Sequence, residues 1–282
     1  MAKIGIDIGG TTIKGALFSG GKIVAESSAP TMGTVGREAI LQSMHTVIGR
    51  LMSEEVTFIG VASAGNIDAR RGVCVYATDN LKGWTGLHIA EEVQERYGVR
   101  CRAENDAICA LLGETGGDLS HDVTMLTFGT GVGGASIVNG SVVRGKNFDA
   151  ARWGHVVLYP GGRVCNCGKQ GCAEQYLSAT ALLRSARRAG LHVSDCEAVM
   201  RAFVDGDSRA ERVVRSFVQD LLTLLSNICT AIAPEKIILG GGLMNAWDAF
   251  SRVHEMPPYA VRAALGGKAG IYGAGLLDDT DG

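Results

Sequence analysis

From Lys3 the chain alternates polar and apolar side chains through Ile4, Gly5, Ile6, Asp7 and Ile8, the period of a half-buried strand, and then breaks at Gly9-Gly10-Thr11-Thr12. A second run (13–18) and a third (22–26), joined by Ser19-Gly20-Gly21, predict a three-stranded meander. Ile40, Leu41, Met44, Val47, Ile48 and Leu51 recur at helical spacing and predict an amphipathic helix over 37–51. A buried strand (58–62), a Gly/Asn/Asp-rich loop (65–84) with a short strand at 73–76, a helix (87–97), a strand (99–103) and a helix (106–114) follow.

The opening pattern then recurs. A strand (123–128) runs into Gly129-Thr130-Gly131-Val132-Gly133-Gly134, a strand (135–138) follows, and Asn139-Gly140 turns the chain into Val142-Val143. Helices are expected over 179–189, 196–204 and 209–232, then a strand (236–239), Gly240-Gly241-Gly242 and a last helix near 272–277. Meander then α/β, twice over, predicts an α/β architecture of two lobes with a cleft between them. The first lobe is expected over 1–115, completed by a C-terminal helix over 270–282, and the second over 116–269.

Composition narrows the class. With 46% hydrophobic residues, 20% charged residues and a net charge of -2, the chain reads as an ordinary globular protein with no electrostatic case for nucleic acid or an anionic membrane. The N-terminal residues lack an apolar signal core, and no apolar run is long enough to span a bilayer, so a cytoplasmic location and reduced thiols are expected. Gly 40 is about twice the usual frequency and, without a collagen period, points to tight turns and close approach to a ligand.

Three glycine runs carry candidate chemistry. In Asp7-x-Gly9-Gly10-Thr11-Thr12-x-Lys14, bare backbone N–H groups and hydroxyls suit oxyanions, and Asp7 at the strand end suits Mg2+ held through water; a tight hairpin with a surface Asp would look similar. The run Gly129 to Gly134 matches G-x-G-x-x-G, yet a strand follows it where a dinucleotide site needs a helix, so it reads as a second phosphate loop through Thr130, Gly131 and Gly133. Gly241 lies in the third run, which suits either close approach of an adenosine or a plain strand-to-helix turn. Asp106, between a strand and a helix, reads as a helix N-cap, as the general base of a phosphoryl transfer, or as both. Cys165, Cys167 and Cys172, with His155 upstream, form a Cys3His set suited to a closed tetrahedral zinc site, against the simpler alternative of buried thiols or a disulfide with one cysteine spare.

Together these pieces resemble the ROK family of sugar kinases, within the actin/Hsp70/hexokinase (ribonuclease H-like) fold. The resemblance rests on Asp7 to Lys14, Asn80-Leu81-Lys82-Gly83-Trp84, Asn105-Asp106-Ala107, Gly129 to Gly134, and Trp153-Gly154-His155 with the cysteine cluster through Glu174. It implies an ATP- and Mg2+-dependent sugar kinase acting on a hexose or N-acetylhexosamine, at the 6-hydroxyl, with Asp106 as base. It also implies sugar contacts from Gly65, Asn80, Asn105, His155 and Glu174, a structural Zn2+ on His155, Cys165, Cys167 and Cys172, and a homodimer. One departure stands out: Arg152 occupies the position where the family pattern has a glutamate that accepts hydrogen bonds from the sugar. Arg152 is then expected to swing to solvent, pair with Glu174 or another carboxylate, or recognise an acceptor-rich sugar. The alternative is a sugar-binding regulatory member of the family with weak or no kinase activity; an Hsp70- or actin-like ATPase has no need of the cysteine cluster.

Overall fold

Ile4, Ile6 and Ile8 of strand β1 (Ala2–Ile8) are fully buried on one face and Gly5 is buried on the other, as suits a central strand with neighbours on both edges. In the computed structural model, which describes residues 2–278, it has them. β2 (Thr12–Ser19) and β3 (Lys22–Pro30) continue as an antiparallel meander on one side. After helix α1 (Arg37–Leu51), β4 (Val56–Ser63) returns parallel to β1 on the other side. A two-stranded hairpin, β5 (Asn66–Asp68) with β6 (Val73–Tyr76), and helix α2 (Ile89–Tyr97) precede β7 (Arg100–Asn105), parallel to β4, and helix α3 (Asp106–Thr115).

The order then repeats. β8 (Val123–Phe128), β9 (Val132–Val138) and β10 (Ser141–Val142) form a second antiparallel meander. Helices α4 (Glu174–Leu177), α5 (Ala179–Arg188), α6 (Cys196–Val204) and α7 (Ser208–Ile232) lead to β11 (Lys236–Gly240), parallel to β8. Helix α8 (Trp247–Val253) and β12 (Ala260–Arg262), parallel to β11, complete the sheet, and α9 (Ala269–Leu276) ends the described chain. The sheets are ordered β3-β2-β1-β4-β7 and β10-β9-β8-β11-β12, the same topology twice.

Two compact units result. The first takes residues up to Leu119, the segment Arg144–Ala150 and the stretch from Gly267 onward; the second takes Ser120–Val143 and Ala151–Gly266. In the first unit α9 lies directly on the sheet, because Gly5 of β1 and Gly60 of β4 have no side chain: a Cβ at either would collide with the carbonyl of Ile271 or Ala274. The second core is built on α7, where Val214, Leu221, Leu224, Leu225 and Ile228 are fully buried or nearly so.

The differences from the sequence pattern have local causes. β3 extends to Pro30, beyond the expected 26, as an edge strand exposed on most positions and thus without a readable alternation. β9 begins at Val132, which takes Gly133 and Gly134 out of the loop and into the strand. α9 starts at Ala269, because its glycine- and alanine-rich turns carry no amphipathic period. The expected helix end beyond Asp278 lies outside the described residues.

Candidate active site

In the first unit the chain turns from β1 into β2 so that Asp7 stands opposite Lys14 in the ladder. Gly9 N–H is spent inside the turn on the Thr12 carbonyl at 3.2 Å, and Thr31 N–H donates to the Thr11 carbonyl at 3.0 Å. What remains is the pair Gly10 and Thr11, both exposed, whose N–H groups have no acceptor among the described residues. Consecutive free amides of this kind form an anion-binding concavity.

Asp106 opens α3. Its Oδ1 accepts from Ala107 N–H and from Asn105 Nδ2, both at 2.9 Å. Asn105 caps the helix, accepting from Ala107 and Ile108 N–H through Oδ1, while its Nδ2 also donates to the Gly65 carbonyl at 2.9 Å. So Asn105 is the N-cap and Asp106 the first helical residue, its Oδ1 held by the helix's own Ala107 N–H and by Asn105. Burial first, then the nearby Asp106 carboxylate, push Asp7 from 3.8 up to about 7, with Lys14 opposing. Asp7, raised by the neighbouring Asp106 carboxylate, offers with it a hard-oxygen donor set of the kind that suits a divalent cation.

One feature had no local signal in the sequence. Glu104, 1% exposed, accepts from Arg144 Nε at 2.8 Å and from Asn105 N–H at 2.8 Å. Arg144 comes from the segment Arg144–Ala150, forty residues on, and its guanidinium is what keeps a buried carboxylate next to the Asp106 turn satisfied. Asn80 sits exposed in a 3-10 turn (Asp79–Leu81), with its carbonyl against Gly33.

In the second unit the β8–β9 turn has the same three-residue length as the first but a different internal hydrogen bond. Gly129 N–H donates to the Gly131 carbonyl at 2.9 Å and Val132 N–H to Glu174 Oε2 at 3.0 Å. The N–H groups of Thr130 and Gly131 are left without an acceptor among the described residues, the equivalent pair. Gly133 pairs with Thr127 in the sheet, so its role in the turn is structural. Gly241, at φ 86°, packs on the backbone of Phe128, where any Cβ would collide. Beside it lies a groove of about 490 Å³ lined by Cys196, Met200 and Val204 of α6 together with Gly242, Leu243 and Ala246. Sequence reasoning missed α6 as a wall of that groove, since its apolar positions read equally well as core.

Trp153 fixes the segment that carries Arg152 and His155, donating from Nε1 to Ser136 Oγ at 2.9 Å across the Cβ-free Gly134. His155, Cys165, Cys167 and Cys172 converge, their nearest ligand atoms all within 4.8 Å of one another. His155 Nδ1 is 3.7 Å from Cys165 Sγ, and Cys167 Sγ is 3.6 Å from Cys172 Sγ. Ligands about 2.3 Å from a tetrahedral zinc stand about 3.8 Å apart, so these edges match such a site without a bond between the sulfurs. Burial and the adjacent thiols push Cys172 up to about 12; at Cys167 burial is outweighed by the Lys169 N–H and the neighbouring thiols, which hold it below the usual thiol value. Three thiols held this close ionise together only when a cation joins them. Burial, then the Arg152 guanidinium, depress His155, so it is a neutral imidazole and competent as a ligand. The residues present therefore fit zinc.

Arg152 is brought to His155 and not to Glu174: its Nη2 lies 3.1 Å from His155 Nε2, while the Glu174 carboxylate is engaged by the Val132 N–H. Arg152 forms no ion pair among the described residues.

A sheet of this order repeated twice, each copy opening on a turn with a pair of free amides, is the actin-like α/β fold. The ROK family model matches residues 3–279, and the chain belongs to the ROK family. Glucokinase of Thermotoga maritima is 32% identical to it over 305 aligned residues, covering 97% of this chain and 96% of that one. N-acetyl-D-glucosamine kinase of Pasteurella multocida is 28% identical over 282, covering 93% and 90%. Among solved structures, a ROK family glucokinase from Streptomyces griseus in complex with glucose and AMPPNP matches with a TM-score of 0.84 at 28% identity, covering 98% of this chain and 99% of that one.

Proposed function

We propose that the protein transfers the γ-phosphoryl group of ATP to the 6-hydroxyl of a hexose or N-acetylhexosamine, with Asp106 taking the hydroxyl proton. That it is an ATP-dependent sugar kinase comes with its family and with glucokinase relatives at 32% identity over 97% of the chain. The sugar, the hydroxyl and the residue roles are the proposal. It is carried by the Asp106 carboxylate, anchored through Oδ1 at the start of α3 beside Asp7.

In the step proposed, the sugar oxygen forms a bond to the γ-phosphorus as the bond to the β,γ-bridging oxygen breaks; the hydroxyl proton passes to Asp106 and ADP leaves. Phosphoryl transfer asks for alignment, charge neutralisation and one such acceptor. Each amide pair, Gly10-Thr11 in the first unit and Thr130-Gly131 in the second, by itself suits phosphate oxygens, and the groove beside Gly241 in the second unit suits an adenine base. Asp7 would hold a Mg2+ through water, and the chemistry supplied there is neutralisation of phosphate charge. His155, Cys165, Cys167 and Cys172 would hold a zinc whose contribution is structural: it would tie the cysteine hairpin (157–172, bridged at Val157–Cys172 and Val164–Gln170), which leads into Glu174 at the start of α4, to the turn that carries Arg152. Arg152, a donor with no carboxylate partner, supports a sugar bearing a carbonyl acceptor and so favours the N-acetylhexosamines.

The regulatory alternative draws on one observation, that Arg152 already occupies His155 Nε2. A coupled ATP-consumption assay across hexoses and N-acetylhexosamines, run beside Asp106→Asn, decides between the two. We expect turnover of an N-acetylhexosamine, reduced about 10³-fold or more in Asp106→Asn with sugar binding retained. Sugar binding without ATP consumption in the wild type would establish the regulatory reading, and near-normal turnover by Asp106→Asn would remove the base assignment.

A further inference from the structure

Four guanidinium groups gather in the second unit where α5 meets the cysteine hairpin. Arg184, Arg187 and Arg188 lie on α5 itself, and Arg163 reaches it from the hairpin, with Nη2 3.4 Å from Ser185 Oγ. Arg163 Nη1 and Arg184 Nη2 both donate to one backbone carbonyl, that of Gln175, each at 2.7 Å. Two cations thus meet on one neutral oxygen, and Arg184 Nη2 also donates to Gln175 Oε1 at 3.2 Å. None of the four forms an ion pair with Asp or Glu among the described residues. Arg184 Nε is buried and has no hydrogen-bond partner among the described residues.

Part of this has a structural explanation. Arg187 and Arg188 occupy the last turn of α5, where cations complement the helix dipole, and Arg163 stacks on the Tyr176 ring at 4.5 Å. Neither accounts for Arg184, whose buried donor carries a desolvation cost with nothing offsetting it. The buried Asp220 carboxylate, which accepts from the Tyr159 hydroxyl, favours the Arg163 cation from a distance, but no carboxylate lies within ion-pair reach of either guanidinium among the described residues. Beside them opens a groove of about 480 Å³ lined by Thr180, Leu183, Arg184, Arg187 and Arg188. A carboxylate offers two oxygens, enough for one guanidinium fork; a phosphoryl dianion offers three and engages more than one. Thr180, at the groove's other end, donates from Oγ1 to the Thr130 carbonyl at 3.0 Å, so an occupant would lie one side chain from the second glycine turn.

We propose that this arginine-lined groove on α5 binds a phosphate-bearing small molecule, either a phosphomonoester or inorganic phosphate, at a site separate from the amide pairs of the glycine turns. The inference is argued from the guanidinium cluster, and only the blocking of the glycine turns in its test rests on the proposed function.

Calorimetric titration tests it, on full-length protein saturated with AMPPNP and Mg2+ so that the glycine turns are blocked. The probes are inorganic phosphate and glycerol 3-phosphate, with potassium chloride at matched ionic strength as control. The variants are Arg184→Met and the exposed double substitution Arg187→Glu/Arg188→Glu, whose positions bear no core packing. One equivalent of a phosphate probe should bind the wild type and bind at least about tenfold more weakly to either variant. Tighter binding of glycerol 3-phosphate identifies a phosphomonoester as the natural class, and tighter binding of inorganic phosphate the free ion; either outcome supports the site. Absence of saturable phosphate binding in the wild type, or equal affinity in the variants, overturns it. Should Arg184→Met fail to fold, the surface double variant decides alone.

Discussion

Asp7 is held in a protonation state that costs the fold stability at neutral pH, and the cost is measurable. Burial and the Asp106 carboxylate raise it from 3.8 to about 7. In the unfolded chain it titrates at its ordinary value, so the folded state binds the extra proton throughout the interval between. Below about pH 3.8 both states are protonated and Asp7 contributes nothing; the penalty grows as pH rises through the interval and is complete above pH 7. A rise of about three pH units corresponds to about 4 kcal/mol as a ceiling. Asp7 is only half-buried, and water reaching the carboxylate reduces the expected figure to about 2 kcal/mol. Asp7→Asn removes the charge while keeping the shape. Its melting temperature, measured without nucleotide or metal, should exceed that of the wild type by about 5 °C at pH 8 and by clearly less at pH 5. Sugar phosphorylation should be lost in the same variant, the usual trade between a strained functional group and stability. A gain in melting temperature that is the same at both pH values, or a loss at pH 8, would show that the carboxylate is not held at this cost.

Two further outcomes are expected. Purified protein should carry about one zinc per chain, and Cys167→Ser should lose it and expose 155–174 to proteolysis; a wild type free of metal with that segment fully protected contradicts the site. Arg152→Glu should raise kcat/KM for glucose by about tenfold or more, since an acceptor for sugar hydroxyls replaces a donor. An unchanged profile across the sugar panel means that Arg152 does not read the substrate.

Legibility in the sequence followed the range of the forces involved. The meanders at 2–30 and 123–142, the helix Arg37–Leu51 and the Asp106 helix start were readable because alternation, helical spacing and capping act over a few residues. The cysteine cluster was readable for the same reason, with three of its ligands lying between Cys165 and Cys172. Short elements such as α4, α8 and β12 carry too few residues to show a period, and β3 ran on past its apolar signal because an edge strand needs none.

Taken alone, then, the sequence determined the α/β class and the doubled pattern and supplied the candidate metal ligands and the candidate base, all of which reside in local spacing or in residue chemistry. Only the tertiary structure decided which glycines have a free N–H, since Gly9 spends its own on Thr12 and Gly133 belongs to a sheet. It alone brought Arg144 to Glu104 and Arg163 to Arg184. Those pairings are contacts between segments that share no periodic signal. Charge partnership depends on where the packed backbone delivers each side chain, and that is set by the core as a whole.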